Sequence, residues 1–216
     1  RQQRARAGGG GALLLWGAGA LLAGTSYEAF SYYLKCAGRP ACAWTSWYEI
    51  IYLLLSVASI DAMLAAVAYS SASGRLRRGL LLYAGANLAV YTLILLAGAF
   101  LPVKFLISFE LLILVCAPAL VIFLLLNGRR YARLRQPLDL ALLGTWGWLI
   151  LTIAAYLGYY LSGLAQRLWA RGAWFSENDV LHIGLILWMV YIALVLGRFV
   201  SDLPAQGTDQ SLAEMS

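Results

Sequence analysis

Apolar runs of roughly 20 residues, enough for a helix to cross a hydrocarbon core of about 30 Å, recur along the whole of this chain. No other feature limits the fold so tightly. Lipid offers no water to backbone N–H and C=O groups, so each run must satisfy its own and reads as a helix. Charged residues make up only 12% of the chain, against about 25% in a soluble domain. The expected fold is all-α: a polytopic transmembrane helical bundle of six spans, near residues 11–34, 45–69, 80–101, 104–126, 138–161 and 178–200. Residues 1–10 read as a basic N-terminal segment, 11–200 as the bundle and 201–216 as a polar tail, with no room for a second globular domain.

The opening RQQRARAGGGGALLLWGAGALLAG has the basic head and apolar run of a signal peptide. That run continues to about Leu34 without an A-x-A exit site and reads as a retained first span. The chain does not begin with Met, which leaves residues upstream of Arg1, and a seventh span there, open.

The net charge of +6 does not point to nucleic acid, because the basic residues cluster in short segments between spans. RQQRAR, GRLRR and RRYARLR, with Arg198, fall on one side; Lys35, Arg39, Lys104, Arg167 and Arg171 fall on the other. The denser set marks the cytoplasmic side, so both termini are expected there and the KCAGRPACAW loop outside. The implied location is the bacterial inner membrane, multi-pass, with lipids and other membrane subunits as the expected partners. SSASGRLRRG and NGRRYARLRQP read as cytoplasmic loops, Pro102–Val103 as a tight turn, and SGLAQRLWARGAWFSE as a loop holding a short interfacial helix.

Cys36 and Cys42 lie in a loop that Gly38 and Pro40 can turn back on itself. Outside the cell the pair reads as a disulfide, with free thiols as the alternative. The loop holds no further Cys or His to complete a metal site. Cys116, within a span, reads as a small apolar filler.

Ionisable residues inside the spans fall in two layers. Near the external ends lie Glu28, Glu49, Glu110, Asp179 and His182, the last being the only histidine. Asp179 and His182 share a helix face, as do Asn178 and His182. One reading is structural: Asn178 and Asp179 cap the last span, and Lys35 and Lys104 neutralise Glu28 and Glu110. The other is a pocket in the outer leaflet. There Glu49, Asp179 and His182 are the candidate catalytic groups, and Glu28, Glu110, Lys104, Asn178 and Trp47 line the binding site. The same Glu49, Asp179 and His182 set suits a divalent ion that prefers oxygen, and acid–base hydrolysis. Deeper, Asp61 and Asn87 lie at matching depths in adjacent spans, as a structural pair or a proton relay. Asp139 and Arg198 are placed to pair at the inner ends of their spans.

The segments YYLKCAGRPACAWTSWYE and FSENDVLHIGL resemble a group of uncharacterised bacterial multi-span membrane proteins. More distantly, a late span that opens with an acid and a His resembles the CREST superfamily of membrane hydrolases, which hold zinc with three histidines and an acid. That resemblance implies a helical bundle and lipid hydrolysis. With one histidine and six spans, the zinc site does not carry over. There is no P-loop, no G-x-S-x-G and no H-E-x-x-H motif. No mid-span lysine suits retinal, and no histidine pair suits haem. Three functions follow in order: a metal-assisted hydrolase or lipid-modifying enzyme, a non-enzymatic accessory or scaffold subunit, and a small-molecule or ion transporter using Asp61.

Overall fold

The computed structural model describes residues 2–101 and 103–199, without the side chains of residues 2–7, Glu28 and Gly197. There is no strand among the described residues. The helices are α1 (Gln2–Gly24), α2 (Ser31–Lys35), α3 (Trp47–Ser71), α4 (Gly74–Phe100), α5 (Phe109–Leu134), α6 (Pro137–Ser162), α7 (Leu164–Trp169) and α8 (Glu177–Val195). Six segments are long and apolar enough to cross a membrane: Gly8–Tyr27, Trp47–Ser71, Gly74–Phe100, Phe109–Leu134, Pro137–Ser162 and Glu177–Val195. The chain forms two compact units, Arg1–Leu126 and Asn127–Ser216, whose boundary falls within α5.

The span count agrees with the hydropathy reading, but several element ends do not. The segments expected as loops after α3 and within 127–137 are mostly helix. Only Ala72–Ser73 separates α3 from α4, and only Arg135–Gln136 separates α5 from α6. Arg75, Arg77 and Arg78 therefore lie in the first turns of α4, and Arg129, Arg130 and Arg133 on the last turns of α5. Arg, Leu and Ala are good helix formers, and no proline intervenes before Pro137. Charge ends the hydrophobic run without ending the helix. Hydropathy thus locates the membrane boundary rather than the helix terminus.

The first span differs most. α1 does not reach Leu34 but passes at Thr25–Ala29 into a π-helical turn, which stops where Phe30 takes φ −129°. Thr25 Oγ1 donates to the Leu21 carbonyl at 2.8 Å across this change of pitch. Residues 31–35 then form the separate short helix α2. The SGLAQRLWARGAWFSE loop does hold a short helix, α7. Pro102 and the 201–216 tail lie outside the described residues.

In the first unit α1 packs along α3 through small residues. A methyl on Gly8 would stand 3.1 Å from Ala66 Cβ, and Ser59 Oγ donates to the Ala12 carbonyl at 2.8 Å, buried. Close helix approach through small residues, reinforced by a hydroxyl, is the usual adhesive inside lipid, where hydrophobicity alone does not drive helices together. The core of this unit is Leu53 and Val57 on α3, Tyr91 and Leu95 on α4, and Leu112 and Cys116 on α5.

In the second unit α6 and α8 are joined by side chains reaching the opposite backbone. Trp188 Nε1 donates to the Thr145 carbonyl at 2.9 Å, Tyr191 Oη to the Ala141 carbonyl at 3.2 Å, and Trp148 Nε1 to the Gly184 carbonyl at 3.2 Å. Each bond satisfies a polar ring atom that lipid could not solvate.

One close approach in the first unit is checkable. A Cβ on Gly98 would lie 2.7 Å from both Ile107 Cγ2 and Leu106 Cβ, in the turn before α5. Gly98→Ala should therefore lower stability in thermal unfolding of the detergent-solubilised protein by about 1–3 kcal/mol. Gly85→Ala in the same helix meets nothing within 4 Å. It should leave stability unchanged or raise it by up to about 1 kcal/mol.

Candidate functional site

The densest polar constellation among the described residues lies where the end of α1 and the start of α3 meet, beneath the cysteine loop. Its centre is Glu49, in the first turn of α3 and only 4% exposed. Lys35 Nζ, from the last turn of α2, forms an ion pair with Glu49 Oε1. Ser26 Oγ donates to the same oxygen at 2.9 Å, and Thr45 Oγ1 donates to Oε2 at 3.1 Å. Ser46 caps α3, its Oγ accepting from the Glu49 N–H at 3.4 Å while lying 2.7 Å from Ser26 Oγ. One carboxylate thus gathers donors from the π-turn, from α2 and from the residues leading into α3.

Local structure explains how these groups converge. The π-turn sits just where Ser26, fully buried, reaches α3. Cys36 and Cys42 form a disulfide, and the Ala43 N–H donates to the Lys35 carbonyl at 2.8 Å. Together they close the loop immediately after Lys35. The Lys35 ammonium also lies 4.9 Å from the centre of the Tyr27 ring, a cation–π contact. Lys35, expected to neutralise Glu28, forms its ion pair with Glu49. The side chain of Glu28 lies outside the described residues.

The other described candidates for the outer pocket in the first unit are exposed. Trp47 is exposed and packs edge-on against Phe100, ring centroids 6.2 Å apart. Glu110, in the first turn of α5, and Lys104 are exposed. In the second unit Asp179 turns back on its own helix start. Its Oδ2 accepts from the Ser176 N–H at 2.6 Å and from Ser176 Oγ at 2.8 Å, a capping box in which Ser176 is the N-cap. Asn178 and His182 are exposed. No three His, Cys, Asp or Glu side chains among the described residues form a group that could hold a metal ion.

Two further buried carboxylates complete the inventory. Asn87 Nδ2 on α4 lies 3.2 Å and 3.1 Å from the two carboxyl oxygens of Asp61 on α3. Asp139, 1% exposed near the start of α6, pairs with Arg130 at 3.1 Å. The expected partner, Arg198, is exposed. The two-residue link between α5 and α6 brings Arg130 to Asp139 first, and Asp139 also sits in the helix turn where a negative charge is favoured.

Sequence reasoning missed Ser26, Thr45, Ser46 and Arg130. The two Thr-Ser doublets, Thr25–Ser26 and Thr45–Ser46, frame the cysteine loop and were a usable signal. Arg130 lies in a segment whose charge reads as loop but whose backbone is helix.

This architecture, with six helices long and apolar enough to cross a membrane, is that of a multi-pass helical membrane protein. The chain belongs to the family of unknown function (DUF6962), which matches it over residues 5–199. No curated protein and no solved structure matches it.

Two predictions follow from the nest. Lys35→Met leaves a buried carboxylate without its cation and should cost about 3 kcal/mol, measured by unfolding in micelles. Adding Glu49→Gln should recover part of that loss, a coupling that a double-mutant cycle would detect. The unfolded, unreduced protein should take up one maleimide, on Cys116, and three after reduction, read by intact mass.

Proposed function

We propose that the protein is a non-enzymatic subunit or scaffold of a larger assembly in the bacterial inner membrane. Its termini are cytoplasmic and its disulfide loop faces outward. The observation that carries this reading is the state of the two nominated acids. Glu49 has both carboxyl oxygens engaged by Lys35, Ser26 and Thr45, and Asp179 is taken up by the Ser176 cap. A general base needs a free lone pair aimed at substrate, whereas both Glu49 oxygens and Asp179 Oδ2 are held by the protein's own donors. The exposed aromatic side chains around the cysteine loop, Trp44, Trp47 and Tyr48, suit contact with headgroups and with neighbouring subunits.

The hydrolase reading, with Glu49, Asp179 and His182 as catalytic groups or metal ligands, has less support for the same reason. The test is native mass spectrometry after extraction in mild detergent. The expected result is co-elution with another membrane protein at a fixed ratio in repeated preparations. A monodisperse monomer that hydrolyses a lipid ester or amide, and loses that activity in His182→Ala, would overturn the proposal.

A further inference from the structure

Three carboxylates are buried among the described residues, and they are not alike. Glu49 is paired with Lys35 and Asp139 with Arg130. Asp61, 4% exposed, has among the described residues only the neutral amide of Asn87, at 3.1–3.2 Å. It lies ten residues before the end of α3 at Ser71, so about 15 Å from the nearer helix end at a rise of about 1.5 Å per residue. That depth is inside the hydrocarbon region of a core about 30 Å thick. A carboxylate there costs several kcal/mol without a cation, and one amide donor does not offset it.

The surroundings of Asp61 are polar in a directed way. α4 contributes Asn87 and, one turn away, Tyr83; α5 contributes Cys116; both Tyr83 and Cys116 lie within electrostatic reach of Asp61. Among the described residues the facing surface of α1, around Ala12, brings no titratable group, and α3 itself adds only Ser59, whose hydroxyl is given to the Ala12 carbonyl. One turn beyond Asn87 on α4 is Tyr91. It is fully buried, in the same core cluster as Cys116, and its hydroxyl has no hydrogen-bond partner among the described residues. A buried hydroxyl left in that state in an apolar core requires an explanation. Tyr52, three residues from Glu49 on α3, packs against the same cluster. Cys116, Tyr91 and Tyr52 therefore belong to one packed cluster of the first unit.

We infer that Asp61 is a reversible proton-binding site within the membrane, neutral in its resting state and hydrogen-bonded to Asn87. The ligand is H⁺ itself: binding converts the carboxylate to the acid, release returns it, and no other group need change. Glu49 and Asp139 are excluded from this role because each already has its cation.

The test is infrared spectroscopy of the full chain in lipid nanodiscs. At neutral pH the wild type should show a carboxylic-acid C=O band that weakens as pH rises. Asp61→Asn should abolish it and Glu110→Gln, an exposed control, should not. In D2O the band should shift. Wild type with no such band, a band that survives Asp61→Asn, or one that never shifts in D2O would overturn the inference. A band lost on adding sodium or potassium at fixed pH would replace the proton with a metal cation and overturn it equally. Should Asp61→Asn fail to fold, dicyclohexylcarbodiimide, which modifies protonated carboxyls in lipid, reads the wild type directly. An adduct on the Asp61 peptide at neutral pH is expected, and its absence would count against a neutral Asp61.

Discussion

A carboxylate drawn into a membrane span has to be matched from within the protein, and the first unit is arranged around meeting that demand at Glu49. Water cannot reach it, so donors must come from other segments. Ser26 is delivered by a change of helical pitch at the end of α1, Lys35 by the short helix α2, and Thr45 by the approach to α3. The disulfide follows directly after Lys35 and limits how far that lysine can stray. Each local irregularity in this region has a use: the π-turn, the break at Phe30 and the loop closure all bring a donor to one acceptor.

The same demand explains how the helices adhere. Lipid tails are as apolar as leucine, so burial alone gives helices little reason to associate. The contacts that distinguish one helix pairing from another are therefore polar or close-packed. Ser59 bonds to the Ala12 carbonyl between α1 and α3, and Asn87 to Asp61 between α3 and α4. Trp188 and Tyr191 reach the backbone of α6 from α8. Every one of these is a side chain satisfying itself on a neighbouring helix, and together they fix which faces meet.

Charge is handled differently at different depths. Near helix ends, Asp179 and Asp139 sit in first turns where exposed N–H groups favour an anion, and both find partners close in sequence. Deeper in the span, Asp61 relies, among the described residues, on one amide. The contrast between paired acids at helix ends and an acid at mid-depth with a neutral partner separates scaffolding from the residue most open to a functional role.

What the sequence determined by itself was the class: all-α, multi-pass, with six spans, because an apolar run of membrane length has only one way to satisfy its backbone. It also located the cysteine loop and put Asp61 level with Asn87, since helix rise converts residue number directly into depth. It did not determine azimuth. Depth could place Glu28, Glu49, Glu110, Asp179 and His182 in one layer, but which way each points depends on helix rotation and on breaks in pitch. The turn at Thr25–Ala29 rotates Ser26 onto Glu49, and Ser176 turns Asp179 back on its own helix start. Helix length was misjudged for a related reason: charge marks the edge of the lipid, whereas a helix ends only where its backbone hydrogen bonds do. The partners of Lys35, Arg130 and Asp179 were decided by tertiary structure, because a long side chain takes the nearest unmatched charge or dipole in space.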